Sequence, residues 1–266
     1  MTMLSTIRPA AVAGLFYAAE PATLRRSIKR LLDENPAAGP APKAVIAPHA
    51  GYVYSGPVAA RAYNRIAAGA GTIRRVILLG PAHRVALNGM ALPTVQYFRT
   101  PLGDIMLDQT LVAQIRQSPG VSWSDAAHQN EHSLEVQLPF LQSVLGEFSL
   151  VPLVVGWCDP MQVATLLELV WGDKETLIVI SSDLSHYHSY PVAQQLDTET
   201  ARRIEAFEAP LDGDEACGAH PLNGLLRVAH KRALQIERLD LRNSGDTAGS
   251  RDRVVGYGAW ALSDAR

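Results

Sequence analysis

Five short runs of apolar, largely β-branched residues recur along the chain, and segments with helical periodicity separate them. The runs span residues 44–47, 75–79, 148–155, 176–181 and 253–262. The helical patterns lie near residues 21–34, 57–68, 108–117, 133–145, 160–171, 191–207 and 220–231. Strands that are apolar throughout and alternate with helices are typical of a largely parallel sheet covered on both faces. The sequence therefore predicts an α/β fold.

Nothing in the sequence divides the chain. The segment PAAGPAP at 36–42 is short and leads directly into the first apolar run, so it predicts a tight connection and not a linker. Residues 90–108 interrupt the alternation, and the turn residues Thr100, Pro101 and Gly103 predict a hairpin-like excursion there. A length of 266 residues suits one large α/β domain. We therefore predict a single domain over residues 1–266.

Composition and charge indicate a globular protein in the cytoplasm. An apolar fraction of 47% and a charged fraction of 19% are typical of a chain with a sizeable core. The net charge of -2, with both signs scattered, gives no electrostatic basis for binding nucleic acid or an anionic membrane surface. No apolar run is long enough to span a membrane, and the N-terminus lacks the pattern of a signal peptide.

Three of the predicted strands are followed by ionisable side chains. His49 comes just after the run 44–47, His83 follows the second run, and Asp183 and His186 follow the run 176–181. In open parallel sheets, ligands bind beyond the carboxyl ends of the strands. Each residue alone has a simpler explanation: a lone histidine is usually a hydrogen-bonded core residue, and Asp183 is a plausible helix N-cap. Their joint occurrence at one sheet edge favours a functional cluster.

The segment HQNEHSLEVQLPFL at 128–141 carries a second group of ionisable residues. Ser133 is the predicted N-cap of an amphipathic helix, which places Glu131 and His132 in the loop before it. For Glu135 and His128, a solvated helix start is the competing interpretation.

The two cysteines have different contexts. Cys158 ends an apolar run and is most simply a small buried hydrophobic residue. Cys217 and His220 form a Cys-x-x-His pair, but the second pair of a structural zinc site is absent from the sequence. The spacing alone therefore leaves the role of Cys217 open.

Several motifs together resemble one protein family. They are PHAGYVYSGPVAARAY, LLGPAHR, NEHSLEVQLPFL, SSDLSHY and CGAHP. Their order and spacing resemble the Memo family, whose bacterial and archaeal members are called AmmeMemoRadiSam system protein B. The similarity runs from GLFY near residue 14 to the last apolar run. That family is similar in fold and pocket to the class III extradiol ring-cleaving dioxygenases (LigB-like), which implies a central mixed, mostly parallel sheet flanked by helices.

The resemblance also implies a metal site. The dioxygenases hold Fe(II) with two histidines and a carboxylate. His49 and His83 match the two histidines, and Cys217 stands where the dioxygenases have glutamate. The implied ligands are thus His49, His83 and Cys217, with iron as the expected metal and zinc or copper as alternatives because a thiolate is a softer ligand.

Proton handling in this site is assigned to three further residues. His186 falls near the acid/base histidine of the dioxygenases, and Asp183 and His132 complete the predicted catalytic group. Either Asp183, Glu131 or a backbone carbonyl is expected to set the tautomers of the ligand histidines.

Three hypotheses for function follow. The first is a metal-binding protein with a dioxygenase-like pocket and an iron-dependent redox or oxygenase-type activity on an unknown small substrate. The second is a non-catalytic protein that binds a peptide or partner in the same pocket. The third, implied by the family's bacterial name, is a component of a modification system that acts with a radical-SAM protein. Whether the protein is an enzyme is left open by the sequence.

Overall fold

A computed structural model describes residues 6–264, within which the chain forms twelve strands and eight α-helices. The strands are β1 (Ile7–Arg8), β2 (Ala44–Ala47), β3 (Arg75–Pro81), β4 (Met90–Leu92), β5 (Tyr97–Thr100), β6 (Gly103–Met106), β7 (Val121–Trp123), β8 (Ser149–Val155), β9 (Thr176–Ser181), β10 (His186–His188), β11 (Gln235–Asn243) and β12 (Val254–Ser263). The helices are α1 (Pro21–Glu34), α2 (Tyr52–Ala67), α3 (Gln109–Ile115), α4 (Asp125–Gln129), α5 (Leu138–Leu145), α6 (Pro160–Val170), α7 (Tyr190–Glu205) and α8 (Ala219–Lys231). Two 3₁₀ turns span Glu135–Gln137 and Ser244–Asp246.

The main sheet has nine strands, ordered β10-β12-β2-β9-β3-β8-β4-β7 with β11 paired to β12. Its centre is parallel: β2 pairs with β9, β9 with β3, and β3 with β8. The flanks are antiparallel, since β12 runs against β2 and β4 runs against β8. The predicted α/β fold, with a mixed and mostly parallel central sheet, is confirmed.

Alternate residues of the central strands pack into two separate hydrophobic cores. Val45 and Leu78 pack into the core that includes α1, α2 and α5, whereas Ile46 and Ile77 pack into the core that includes α6, α7 and α8. All four side chains are essentially inaccessible to solvent. Burial on both faces explains why these strands appear in the sequence as unbroken apolar runs.

The predicted excursion over residues 90–108 is confirmed in part. Strands β5 and β6 form an antiparallel hairpin, and β1 extends it into a small three-stranded sheet. Strand β4, however, belongs to the main sheet. The long strand β11 was not predicted, because its half-exposed residues do not form an apolar run.

The helix predicted over residues 133–145 begins later. A 3₁₀ turn precedes α5, which starts at Leu138. Ser133 is not its N-cap: the Ser133 hydroxyl donates to the carbonyl of Pro81, 2.9 Å away at the end of β3. The prediction of this cap was wrong because the hydroxyl bonds a distant strand and not its own helix.

The sheet order brings three strand ends together. Strand β9 lies between β2 and β3, with Ala47 opposite Ser181 and Leu79 opposite Ile180. The loops that carry the predicted site residues therefore leave the sheet side by side. The prediction of one domain over residues 1–266 stays a prediction, since residues 1–5 and 265–266 lie outside the described range.

Candidate metal centre

Three histidines converge at this edge of the sheet. One ring nitrogen from each of His49, His83 and His132 lies within 4.8 Å of the others. The ring centroids are 5.2 Å apart for His49 and His83, 5.5 Å for His49 and His132, and 4.7 Å for His83 and His132. His49 is buried, while the side chain of His83 is 29% exposed, so the histidine cluster is open to solvent on the His83 side.

The position and tautomer of His49 are set by β9 and the loop after it. The His49 backbone N–H donates to Asp183 Oδ1 at 2.7 Å, and His49 Nδ1 lies 2.8 Å from Ser181 Oγ. The Ser181 hydroxyl already donates its proton to the carbonyl of Ser133 at 2.6 Å. His49 Nδ1 must therefore be the donor to Ser181, which leaves Nε2 unprotonated.

Glu131 performs the same task for His83. Its carboxylate accepts the His83 backbone N–H at 2.6 Å and His83 Nδ1–H at 2.9 Å. Because a carboxylate only accepts, Nδ1 carries the proton and Nε2 is left free to bind a metal. Burial opposes ionisation of Glu131, but the hydrogen bond and charge of His83 prevail and lower its pKa to about 2.

His132 enters the cluster from the same loop as Glu131. Its ring lies 4.7 Å from the ring of Phe16, centroid to centroid. Its Nδ1 is buried without a hydrogen-bond partner, although Glu131 Oε1 is 3.3 Å away. Burial lowers the pKa of His132 to about 4, and burial together with the neighbouring histidines lowers the pKa of His49 well below its usual value. Both rings are therefore neutral near pH 7, as metal ligands must be.

Cys217 lies beside His49, on the side of Asp183. Its Sγ is 3.3 Å from His49 Nε2 and accepts the Asp183 backbone N–H at 3.3 Å. This approach requires Gly218, because a Cβ there would lie 2.7 Å from the carbonyl oxygen of Ser181. Burial raises the pKa of the Cys217 thiol and raises the pKa of Asp183 to about 7.

His186 lies at the edge of this arrangement. It begins β10, and its charge contributes to the lowered pKa of His49. Burial lowers the pKa of His186 itself, despite a hydrogen bond with the backbone of Leu184. His186 is not one of the three converging histidines.

The structure thus brings together most of the residues that the sequence singled out. His49 and His83 converge as expected, but the third converging side chain is His132, which the sequence analysis placed in the catalytic group, while Cys217 contacts His49. The role of Ser181 was missed, since only its position at the end of an apolar run could have indicated it. The interpretation of Glu135 and His128 as a solvated helix start was wrong, because both side chains are buried.

The donor set fits a transition metal. Imidazole nitrogens suit zinc, copper, iron and nickel, whereas magnesium and calcium prefer oxygen ligands. One metal ion with bonds of about 2.0–2.1 Å would hold the three ring nitrogens closer together than the 4.8 Å within which they lie. His49 and His83 already have Nδ1 bonded outward, so a metal could be held between Nε2 of each and a nitrogen of His132.

Comparison with known proteins agrees with these motifs. The family model described as "Memo-like protein" matches residues 8–261. The chain belongs to the Memo family. A MEMO1 family protein of Methanopyrus kandleri is 36% identical to it, over 95% of this chain and 97% of the relative. MEMO1 family proteins of Sulfolobus acidocaldarius and Saccharolobus solfataricus are 33% and 32% identical, over 94% and 93% of this chain and 97% and 96% of those relatives.

One solved structure shows a weak similarity to this Memo family protein. An uncharacterized protein from Escherichia coli K12 aligns with a TM-score of 0.46 and 14% identity, over 80% of this chain and 98% of that one. A match at this level supports no conclusion about function. Among residues 6–264, no helix combines the length and apolar character needed to cross a membrane.

Proposed function

We propose that this Memo family protein binds a single transition-metal ion between His49, His83 and His132, with Cys217 as a further donor. The observation that carries the proposal is the convergence of three ring nitrogens within 4.8 Å. Two of the three rings have their outer nitrogen fixed by Ser181 or Glu131, an arrangement common among metal-binding histidines.

Iron is the proposed metal, with zinc and copper as the alternatives to be measured. Three imidazoles and one thiolate form a borderline-soft donor set that all three metals accept. The positive charge of the ion would offset the burial that raises the pKa of the Cys217 thiol, so the bound form of Cys217 is a thiolate.

The activity that we propose is a redox or oxygenase-type reaction on a small substrate that enters from the exposed His83 side. The ion would supply open coordination positions for that substrate. His186 and Asp183 are the proposed proton-handling groups, because each lies beside the histidine cluster and a pKa near 7, such as that of Asp183, suits proton exchange at neutral pH. We expect little cleavage of simple catechols, because an oxidisable thiolate stands in place of a carboxylate.

Metal analysis of protein purified without air tests the proposal. We expect about one ion per wild-type chain, and a loss of tenfold or more in metal affinity for His83→Ala, His132→Ala and Cys217→Ser. Cys158→Ser is the matched control and should retain the ion, because Cys158 is a buried residue whose Sγ contacts Gln162 and does not belong to the histidine cluster. Wild-type protein without bound metal after exposure to Fe(II), Zn(II) and Cu(I) would refute the proposal.

Oxygen uptake by the iron-loaded protein tests the activity separately. A panel of dihydroxy-aromatic and other small reductants is the starting point. The predicted partners, which are a small molecule or peptide and a radical-SAM protein, stay predictions, and so does the cytoplasmic location. Co-purification of the intact protein with a radical-SAM protein from the source cells tests that partner directly.

A further inference from the structure

Trp157 is an exposed indole on a rigid backbone. The residue is 76% exposed, yet its backbone N–H donates to the carbonyl of Leu87 at 2.8 Å and its backbone carbonyl accepts the N–H of Gly89 at 2.7 Å. The neighbouring Gly156 fits closely against the same loop, because a Cβ there would lie 2.0 Å from the carbonyl oxygen of Leu87. The backbone that carries the indole is therefore fixed, and the indole, which contacts the His220 ring, has most of its surface free for a ligand.

A cavity of about 350 Å³ lies next to this indole. Residues of the loop 82–88, which begins just before His83, line it together with Val155 and Trp157. Cys217 and His220 also line it. Since Cys217 Sγ is 3.3 Å from His49 Nε2, the cavity borders the histidine cluster. A volume of this size suits a ligand of one or two rings.

His220 supplies a polar contact in this cavity. Its Nδ1 lies 3.0 Å from the carbonyl of Cys158. A carbonyl only accepts, so Nδ1 carries the proton and Nε2 of the neutral ring is a hydrogen-bond acceptor. The His220 ring meets the Trp157 ring edge to face, with centroids 6.5 Å apart. The cavity thus combines an aromatic face, apolar walls and an acceptor.

We propose that this cavity binds a small planar aromatic ring that carries one hydrogen-bond donor. The ring stacks on Trp157, the donor bonds His220 Nε2, and the inner edge of the ligand lies next to Cys217. The part of this assignment that places the ligand next to a metal ion rests on the proposed function. Binding of the ligand in the cavity itself requires no metal. Stacking on the indole favours a planar ligand, and a hydrogen bond to His220 Nε2 favours a ligand with a donor.

Calorimetric titration of the full chain with three matched probes tests the proposal. The probe 2-naphthol is planar and has a donor, decahydro-2-naphthol has the same skeleton but is not planar, and 2-methoxynaphthalene is planar without a donor. We expect 2-naphthol to bind about tenfold more tightly than either of the other two. Equal affinity for 2-naphthol and its saturated analogue would overturn the proposal.

Variants locate the binding. Trp157→Leu should weaken 2-naphthol about tenfold, whereas Trp123→Leu, which alters another exposed indole outside the cavity, should not. His220→Asn keeps an N–H donor for the Cys158 carbonyl, but its shorter side chain has no atom at the position of Nε2, so it should abolish the preference for 2-naphthol over its methyl ether. Equal binding by the Trp157 and Trp123 variants would overturn the assignment.

Metal content separates this proposal from the proposed function. Trp157→Leu and His220→Asn should retain as much metal as the wild type, because neither residue belongs to the histidine cluster. Binding of 2-naphthol by protein that takes up no metal would refute the metal site and leave the cavity assignment standing. Metal uptake without any preference for 2-naphthol would refute the cavity assignment and leave the metal site standing.

Discussion

Glu131 and Glu135 lie four residues apart in NEHSLE and are both almost completely buried, yet their partners differ entirely. The carboxylate of Glu135 accepts hydrogen bonds from Arg8, from the backbone N–H groups of Ala11 and Val12, and from the Tyr17 hydroxyl. The carboxylate of Glu131 holds His83. One carboxylate therefore binds the N-terminal segment to the fold, and the other orients a residue of the histidine cluster.

Arg8 connects the Glu135 carboxylate to the backbone that carries Glu131. Besides its ion pair with Glu135, its Nη2 donates to the Glu131 carbonyl at 2.6 Å and its Nε donates to the His128 carbonyl at 3.0 Å. The Arg8–Glu135 pair thereby fixes the backbone from which Glu131 and His132 reach the cluster. Burial and residue type thus do not distinguish a structural carboxylate from one that orients the histidine cluster; the hydrogen-bond partners do.

The largest effect is expected from Glu135→Gln. Loss of the charge leaves the buried Arg8 guanidinium without its counter-ion, which should lower the free energy of unfolding by about 3–5 kcal/mol. Chemical denaturation of the metal-free protein measures this loss. Lys29→Gln, which breaks an exposed pair with Asp33, is the control and should cost less than about 1 kcal/mol. Similar losses in both variants would remove the distinction between the buried pair and an exposed one.

Acid should weaken the same region through His128. This buried ring donates from Nε2 to the carbonyl of Ala91, and burial lowers its pKa to about 4. A histidine with a lowered folded-state pKa binds fewer protons than in the unfolded chain, so its stabilising effect is complete above pH 6.5 and is lost as the pH falls towards 4. Between pH 7 and 4.5 this loss is on the order of 2–3 kcal/mol.

Denaturation at several pH values tests this prediction. His128→Asn should make the unfolding free energy depend less steeply on pH over this range, even if the variant is less stable throughout. His230→Asn, at an exposed position, should leave the slope of the wild type unchanged. A slope that is identical in all three proteins would contradict the prediction.

Glu131→Gln should act on metal binding more than on folding. The amide is neutral and has a single acceptor oxygen in place of the two that bond His83, so His83 loses orientation and basicity. Changes of this kind typically reduce metal affinity about 10- to 100-fold. Competition with a chelator measures the affinity, and folded Glu135→Gln is the comparison variant, which should lose less. A greater loss in Glu135→Gln would invert the assigned roles.

The smallest effect is expected from Ser181→Ala. It removes the acceptor for His49 Nδ1 but keeps the Asp183 contact with the His49 backbone, so metal affinity should fall about tenfold. Ser55→Ala is a matched control, because this buried hydroxyl donates to the backbone carbonyl of Ala50. Equal affinities in the two variants would show that packing alone orients His49.

Much of the fold could be predicted from local sequence because its cause is local. The central strands are buried on both faces, and this double burial is visible as unbroken apolar runs. Their carboxyl ends share one edge in any parallel sheet, so the sequence placed His49, His83 and Asp183 at that edge, and the strand order of the structure made them neighbours. Strands such as β11, which are half exposed, leave no such pattern and were not predicted.

The sequence by itself thus determined the parallel sheet, the edge at which the site forms and the two histidines at the ends of β2 and β3. Only the tertiary structure decided that His132 joins them, because an ion pair between Arg8 and Glu135, separated by 127 positions, places its loop. The same holds for the hydrogen bond of Ser181 to His49 and the approach of Cys217 to His49. These contacts depend on the three-dimensional arrangement of segments far apart in the chain, which no local pattern of residues encodes.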